Sequence, residues 1–118
     1  MDIKKIKNIK IGYKNYKLEV NDRVWNTQTE SVGQFLYKEG IISVSSEEDA
    51  ISQANTLIHE ILHGIVYQWG LAEELSDKEE NIVNTLSNGI TTVFVDNPWL
   101  ISFIQSKVQE EHKNDDKK

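Results

Sequence analysis

Between Ser45 and Gly70 the apolar residues Ala50, Ile51, Ala54, Leu57, Ile58, Ile61, Leu62, Ile65 and Trp69 recur every three or four positions. That is the spacing of one buried face on a single long helix. A helix of this kind must cover its stripe with another layer, so the rest of the chain has to supply one. Ser45-Ser46-Glu47-Glu48 carries a serine three residues before a glutamate, a capping-box pattern that predicts the start of the helix near this point. Gly70 follows the last periodic residue and predicts its end.

Upstream, the pattern changes to period two. Ile9, Ile11 and Tyr13 alternate with polar residues, as do Tyr16, Leu18 and Val20, which predicts a β-hairpin with its break at Lys14-Asn15. Asn21–Ser31 reads as a polar loop carrying Val24 and Trp25, the latter an exposed anchor, a lid or a plug over the core. Gly33–Tyr37, a Lys38-Glu39-Gly40 turn and Ile41–Val44 predict a second hairpin. Downstream, Ser76-Asp77-Lys78-Glu79 repeats the capping-box pattern before Ile82, Val83, Leu86 and Ile90, and the helix it opens is continued to about Val95. Asn97-Pro98 starts a last helix, predicted to end near Gln109. The expected fold is α+β: a small antiparallel or mixed sheet of about four strands packed on the long helix, with two further helices. Residues 1–110 make one domain, and 111–118 a charged, disordered tail.

Composition narrows the chemistry. There is no cysteine, so no disulfide and no thiolate ligand or nucleophile is available, and any metal is held by histidine and carboxylate. No apolar run reaches the roughly 20 residues of a membrane helix, and the N-terminus lacks the apolar core of a signal peptide; a cytoplasmic protein without a membrane partner is expected. The net charge is -6, yet Lys4, Lys5, Lys7, Lys10, Lys14 and Lys17 crowd the start. These lysines suit the solvated, aggregation-resistant face of a hairpin better than a nucleic-acid surface.

The long helix also carries His59-Glu60-Ile61-Leu62-His63. At about 100° per residue, His63 falls roughly 40° from His59 and Glu60 about 100° from it, with the apolar stripe turned away. Two imidazoles one turn apart can share one zinc ion, and Glu60 is left free to take a proton from water beside it and return it to a leaving amine. Catalytic zinc usually has three protein ligands. His112 belongs to the charged tail, so the candidates are Glu79 and Glu80 on the next helix. If Ser76 is the N-cap, Glu79 folds back to it, and Glu80 is the favoured third ligand, with Asn84 one turn later able to orient His59. Tyr67, one turn after His63, can serve as an electrophile near the site or simply pack.

HEILH, a short connection and EENIVN together resemble the gluzincin branch of zinc metallopeptidases. On that pattern His59, His63 and Glu80 correspond to the metal ligands, Glu60 to the general base and Asn84 to the supporting position, where an aspartate is more usual. GQFLYKEGIISV before the motif and LSNGITTVFVDNPWL after it extend the likeness to short HExxH proteins of phages and prophages of Gram-positive bacteria. These are similar in style to the ImmA/IrrE peptidases that cut repressors. The resemblance spans about residues 33–100 and implies a minimal zincin. The implied activity is hydrolysis of peptide bonds in an intracellular protein or peptide, with one zinc ion. It also implies an extended substrate added to the edge of strand Ile41–Val44 or Gly33–Tyr37, with Phe35 and Tyr37 as pocket or core residues. The alternative is a zincin scaffold, weakly active or inactive, that serves as a phage-type protein-binding or regulatory factor.

Overall fold

The structure is a computed structural model, and it describes residues 1–21 and 32–116. The loop reading of Asn21–Ser31, Trp25 included, falls almost wholly outside the described residues. A short 3-10 turn at Ile3–Lys5 leads into strands β1 (Asn8–Ile11) and β2 (Lys14–Asn21), followed by β3 (Gly33–Leu36) and β4 (Ile41–Ser45). Then come α1 (Ala50–Gln68), a one-turn α2 (Ala72–Leu75), α3 (Glu79–Asp96) and α4 (Trp99–Asp116). The fold class is α+β, with a four-stranded mixed sheet in the order β1-β2-β4-β3.

Both hairpins form, but the first turns earlier than the alternation suggests. Ile11 pairs with Lys14, so the turn is Gly12-Tyr13 and Lys14-Asn15 belongs to β2. Gly12 supplies the φ of 62° that the turn demands, and Tyr13 stands in solvent at its tip. The hairpins join through a parallel pairing of β2 with β4, in which Leu18 faces Ile42 and Val20 faces Val44. This buries β4 between two neighbours and leaves β3 as a sheet edge among the described residues.

Ile11, Tyr16, Leu18, Ile42 and Val44 form the core, with Phe35, Leu57 and Ile61 packed against it. Of the apolar stripe read on α1, Leu57 and Ile61 meet the sheet, whereas Ile51, Ile65 and Trp69 stay exposed, and the buried residues of the helix are Thr56, Glu60, Gly64 and Val66. Gly64 permits the close approach: a Cβ there would lie 2.6 Å from Ile11 Cδ1 and 3.4 Å from the Phe35 ring. At the far end of α1, Gln68 donates a 2.8 Å hydrogen bond to the hydroxyl of the fully buried Tyr16.

Neither predicted capping box is built. Ser45 is taken up by the β4 ladder, and Asp49 caps α1 instead, its carboxylate accepting from Ser52 N at 2.8 Å. Ser76 has φ 51° and begins a 3-10 turn, and α3 starts at Glu79 with Lys78 at the N-cap and no side-chain cap. Thr91–Val95 is helical, as read. The last helix does not end near Gln109 but runs to Asp116, because the tail is rich in good helix formers and Lys107 pairs with Glu110 at 3.2 Å. Its apolar residues Ile101, Phe103, Ile104 and Val108 are exposed. Among the described residues, no helix is long and apolar enough to cross a membrane.

Candidate metal centre

Helices α1 and α3 run antiparallel, as two sets of contacts show. His63 and His59 meet Glu79 and Glu80 at the start of α3. Three turns away in α3, Asn55 donates to Asn88 Oδ1 at 2.8 Å and accepts from Thr91 Oγ1 at 3.1 Å. Between them Val83, Ser87 and Thr91 are buried on a stripe spaced by four, which brings the helices together. Glu79 lies one turn before Val83 on that same stripe, so it too is aimed at α1.

His59 Nε2 and His63 Nε2 lie 3.2 Å apart. Glu80 bridges them, Oε1 at 2.8 Å from His59 Nε2 and Oε2 at 2.9 Å from His63 Nε2. Glu79 Oε2 lies 2.6 Å from the other nitrogen of His63, Nδ1. With its proton on Nδ1, donated to Glu79, a neutral His63 ring turns the Nε2 lone pair toward His59 and Glu80, as a metal ligand requires. Burial holds the His59 imidazole below its ordinary pKa and so favours its neutral form, against the opposing pull of Glu80. Lone pairs of two rings and a carboxylate then converge, an arrangement that needs a proton or a cation among them. Tetrahedral zinc ligands at about 2.0–2.1 Å stand roughly 3.3 Å from one another. The contacts among the two Nε2 atoms and the two Glu80 oxygens, 2.8 to 3.2 Å, are close to that spacing.

Glu60 occupies a different position. Its carboxylate lies within 4.8 Å of both ring nitrogens but is 6% exposed, packed under β3 where Gly33 lacks a side chain. A Cβ on Gly33 would stand 2.7 Å from Glu60 Oε2 and 2.5 Å from Thr56 Cγ2. Loss of hydration pushes the Glu60 carboxyl up to about 7; His63 pulls it down and Glu80 pushes it further up. Glu80, whose oxygens touch both Nε2 atoms, suits a ligand, and Glu60 suits a proton carrier beside it.

Several sequence-derived assignments change. Glu79 does not fold back to Ser76; it holds His63. Asn84 lines the cavity beside the site, but no hydrogen bond joins its side chain to His59. Tyr67 stacks on Tyr37, with ring centroids 4.2 Å apart, and is turned away from the cavity. Phe35 packs on Tyr16 against the core, and neither it nor Tyr37 is among the described residues lining the cavity at the site. Of the two candidate edge strands, Ile41–Val44 is interior and Gly33–Leu36 is the edge. Glu79 was read as a capping residue or a third ligand and not as the partner of His63 Nδ1, and Gly33 and Gly64 were not read as site-forming from the sequence. The four-residue spacing Glu79, Val83, Ser87, Thr91 was the available signal for the first.

A cavity of about 610 Å³ opens from this centre, between the β3 entry at Val32 and Gly33 and the exposed shoulder of α1. No family model, curated protein or solved structure matches the chain.

Proposed function

We propose that the chain is a zinc-dependent metallopeptidase of the HExxH type, built as a minimal zincin, in which His59, His63 and Glu80 hold the ion. The observation that carries this reading is the convergence of His59 Nε2, His63 Nε2 and the Glu80 carboxylate within 3.2 Å, with Glu79 fixing the His63 tautomer. Zinc bound there would supply Lewis acidity, which makes water acidic and a carbonyl electrophilic at neutral pH. Glu60 takes the proton of the attacking water and delivers it to the departing amine, a role that its position beside both imidazoles suits. Glu79 keeps the His63 ring in place through the cycle. β3, a sheet edge among the described residues, lies beside the cavity, and an extended peptide could add to it through backbone hydrogen bonds.

A second reading is favoured by a specific observation. Tyr67 is engaged with Tyr37, and α4 exposes Ile101, Phe103, Ile104 and Val108. A zincin scaffold acting as a phage-type binding factor inside the bacterial cytoplasm would have these features. One set of measurements separates the two. Wild type should hold about one zinc per chain, and His59→Ala and Glu80→Ala should lose it. Glu60→Gln should keep the zinc and abolish peptide cleavage. Full cleavage by Glu60→Gln would reject the peptidase mechanism, and absence of zinc from wild type would reject the site.

A further inference from the structure

The cavity continues beyond the metal centre along α1. Ser52, Thr56 and Glu60 follow one another at intervals of four and face it. Glu48, from the segment just before the helix, closes this end. Its two carboxylate oxygens share a single donor, the Thr56 hydroxyl, at 2.7 and 3.0 Å. A carboxylate has about four acceptor positions, so most of its capacity is left over. Among the described residues, no lysine, arginine or further histidine lines the cavity and no cation faces Glu48. Burial raises the Glu48 carboxyl above its ordinary pKa, the direction expected of a charge without a counter-ion. Thr56 lies one helical turn from Glu60, so the bonded Glu48 carboxylate is displaced by roughly 6 Å along the axis from the proton carrier. That distance matches the reach of a long side chain next to a bond under attack.

We propose that this part of the cavity receives a side chain of the substrate and that Glu48 selects a cationic one, lysine or arginine, beside the scissile bond. The inference rests on the metallopeptidase reading, and it adds the class of substrate. The cation supplies the counter-charge that the cavity lacks, Ser52 adds a hydroxyl on the same wall, and an acidic side chain is repelled.

The test measures binding, and does not depend on turnover. Zinc-loaded protein is titrated calorimetrically with Nα-acetyl-lysine hydroxamate and Nα-acetyl-norleucine hydroxamate. These share the metal-chelating group and differ in the terminal charge. The lysine compound should bind about tenfold more tightly. Glu48→Gln, which still accepts from Thr56, should bring the ratio of the two affinities close to one, and Glu48→Lys should bring it below one. A variant that folds less well weakens both compounds together and leaves the ratio readable. Equal binding of the two by wild type, or a lysine preference that survives in Glu48→Gln, would overturn the pocket assignment and leave the metal site standing. Failure of zinc-loaded wild type to bind either hydroxamate would overturn the metallopeptidase reading, and this inference with it.

Discussion

Replacing Glu60 with glutamine keeps the shape of the side chain and removes a carboxyl that burial holds at a pKa of about 7, against an ordinary value of 4.5. A pKa raised by that much means the folded chain holds the proton more tightly than the unfolded chain, by about 3 kcal/mol. Between pH 4.5 and about 7 the folded state therefore binds more protons than the unfolded state, so this group costs stability as pH rises through that window. His59 acts in the opposite sense: its lowered pKa costs stability as pH falls below its ordinary 6.5. The two overlap, so the Glu60 contribution is isolated as the difference between wild type and Glu60→Gln. Urea denaturation of zinc-free protein, followed by circular dichroism from pH 4 to 8, measures that difference. Relative to wild type, Glu60→Gln should gain about 3 kcal/mol between pH 4.5 and 8, most of it before pH 7.5. A difference that is flat across this range would refute the argument that desolvation controls this carboxyl. Saturating zinc places positive charge beside Glu60 and should shrink the gain.

Glu79→Gln removes the negative charge behind His63 Nδ1 and should weaken zinc binding by about 10–100-fold, read by competition with a chromophoric chelator; unchanged affinity would mean that Glu79 does not orient the ring. Gly33→Ala drives a methyl group against Thr56 Cγ2 and Glu60 Oε2, and Thr56 is too stiff to yield. It should cost about 1–3 kcal/mol in denaturant unfolding and lower peptide cleavage, and a loss under about 0.5 kcal/mol would mean that β3 moves away freely.

The extent of α1 and the phase of its motif were legible because both depend on local periodicity. Gly70, with φ 74°, ends the helix as its position suggests. The choice of Glu80 as the acid that reaches both imidazoles was also legible, although the reason given for it fails: Glu79 is excluded by its bond to His63, not by a bond to Ser76. Capping was misread because serine in a capping pattern competes with other uses of the same backbone. Ser45 is claimed by pairing with β2, a contact between segments far apart in the chain. The turn at Gly12-Tyr13 was hidden by an alternation that continues through Tyr13, a residue that in fact stands 85% exposed.

The sequence by itself determined that two histidines stand one turn apart on a long helix with a glutamate about 100° from the first, since 3.6-residue geometry fixes those angles. Only the tertiary structure decided that Glu79 meets the far nitrogen of His63, how the two hairpins join, and which of β3 and β4 lies at the edge among the described residues. It also decided how deeply Glu60 is buried, because Gly33 and Gly64 matter through what approaches them from elsewhere in the chain. Those outcomes depend on contacts between distant segments, whose geometry no local pattern encodes.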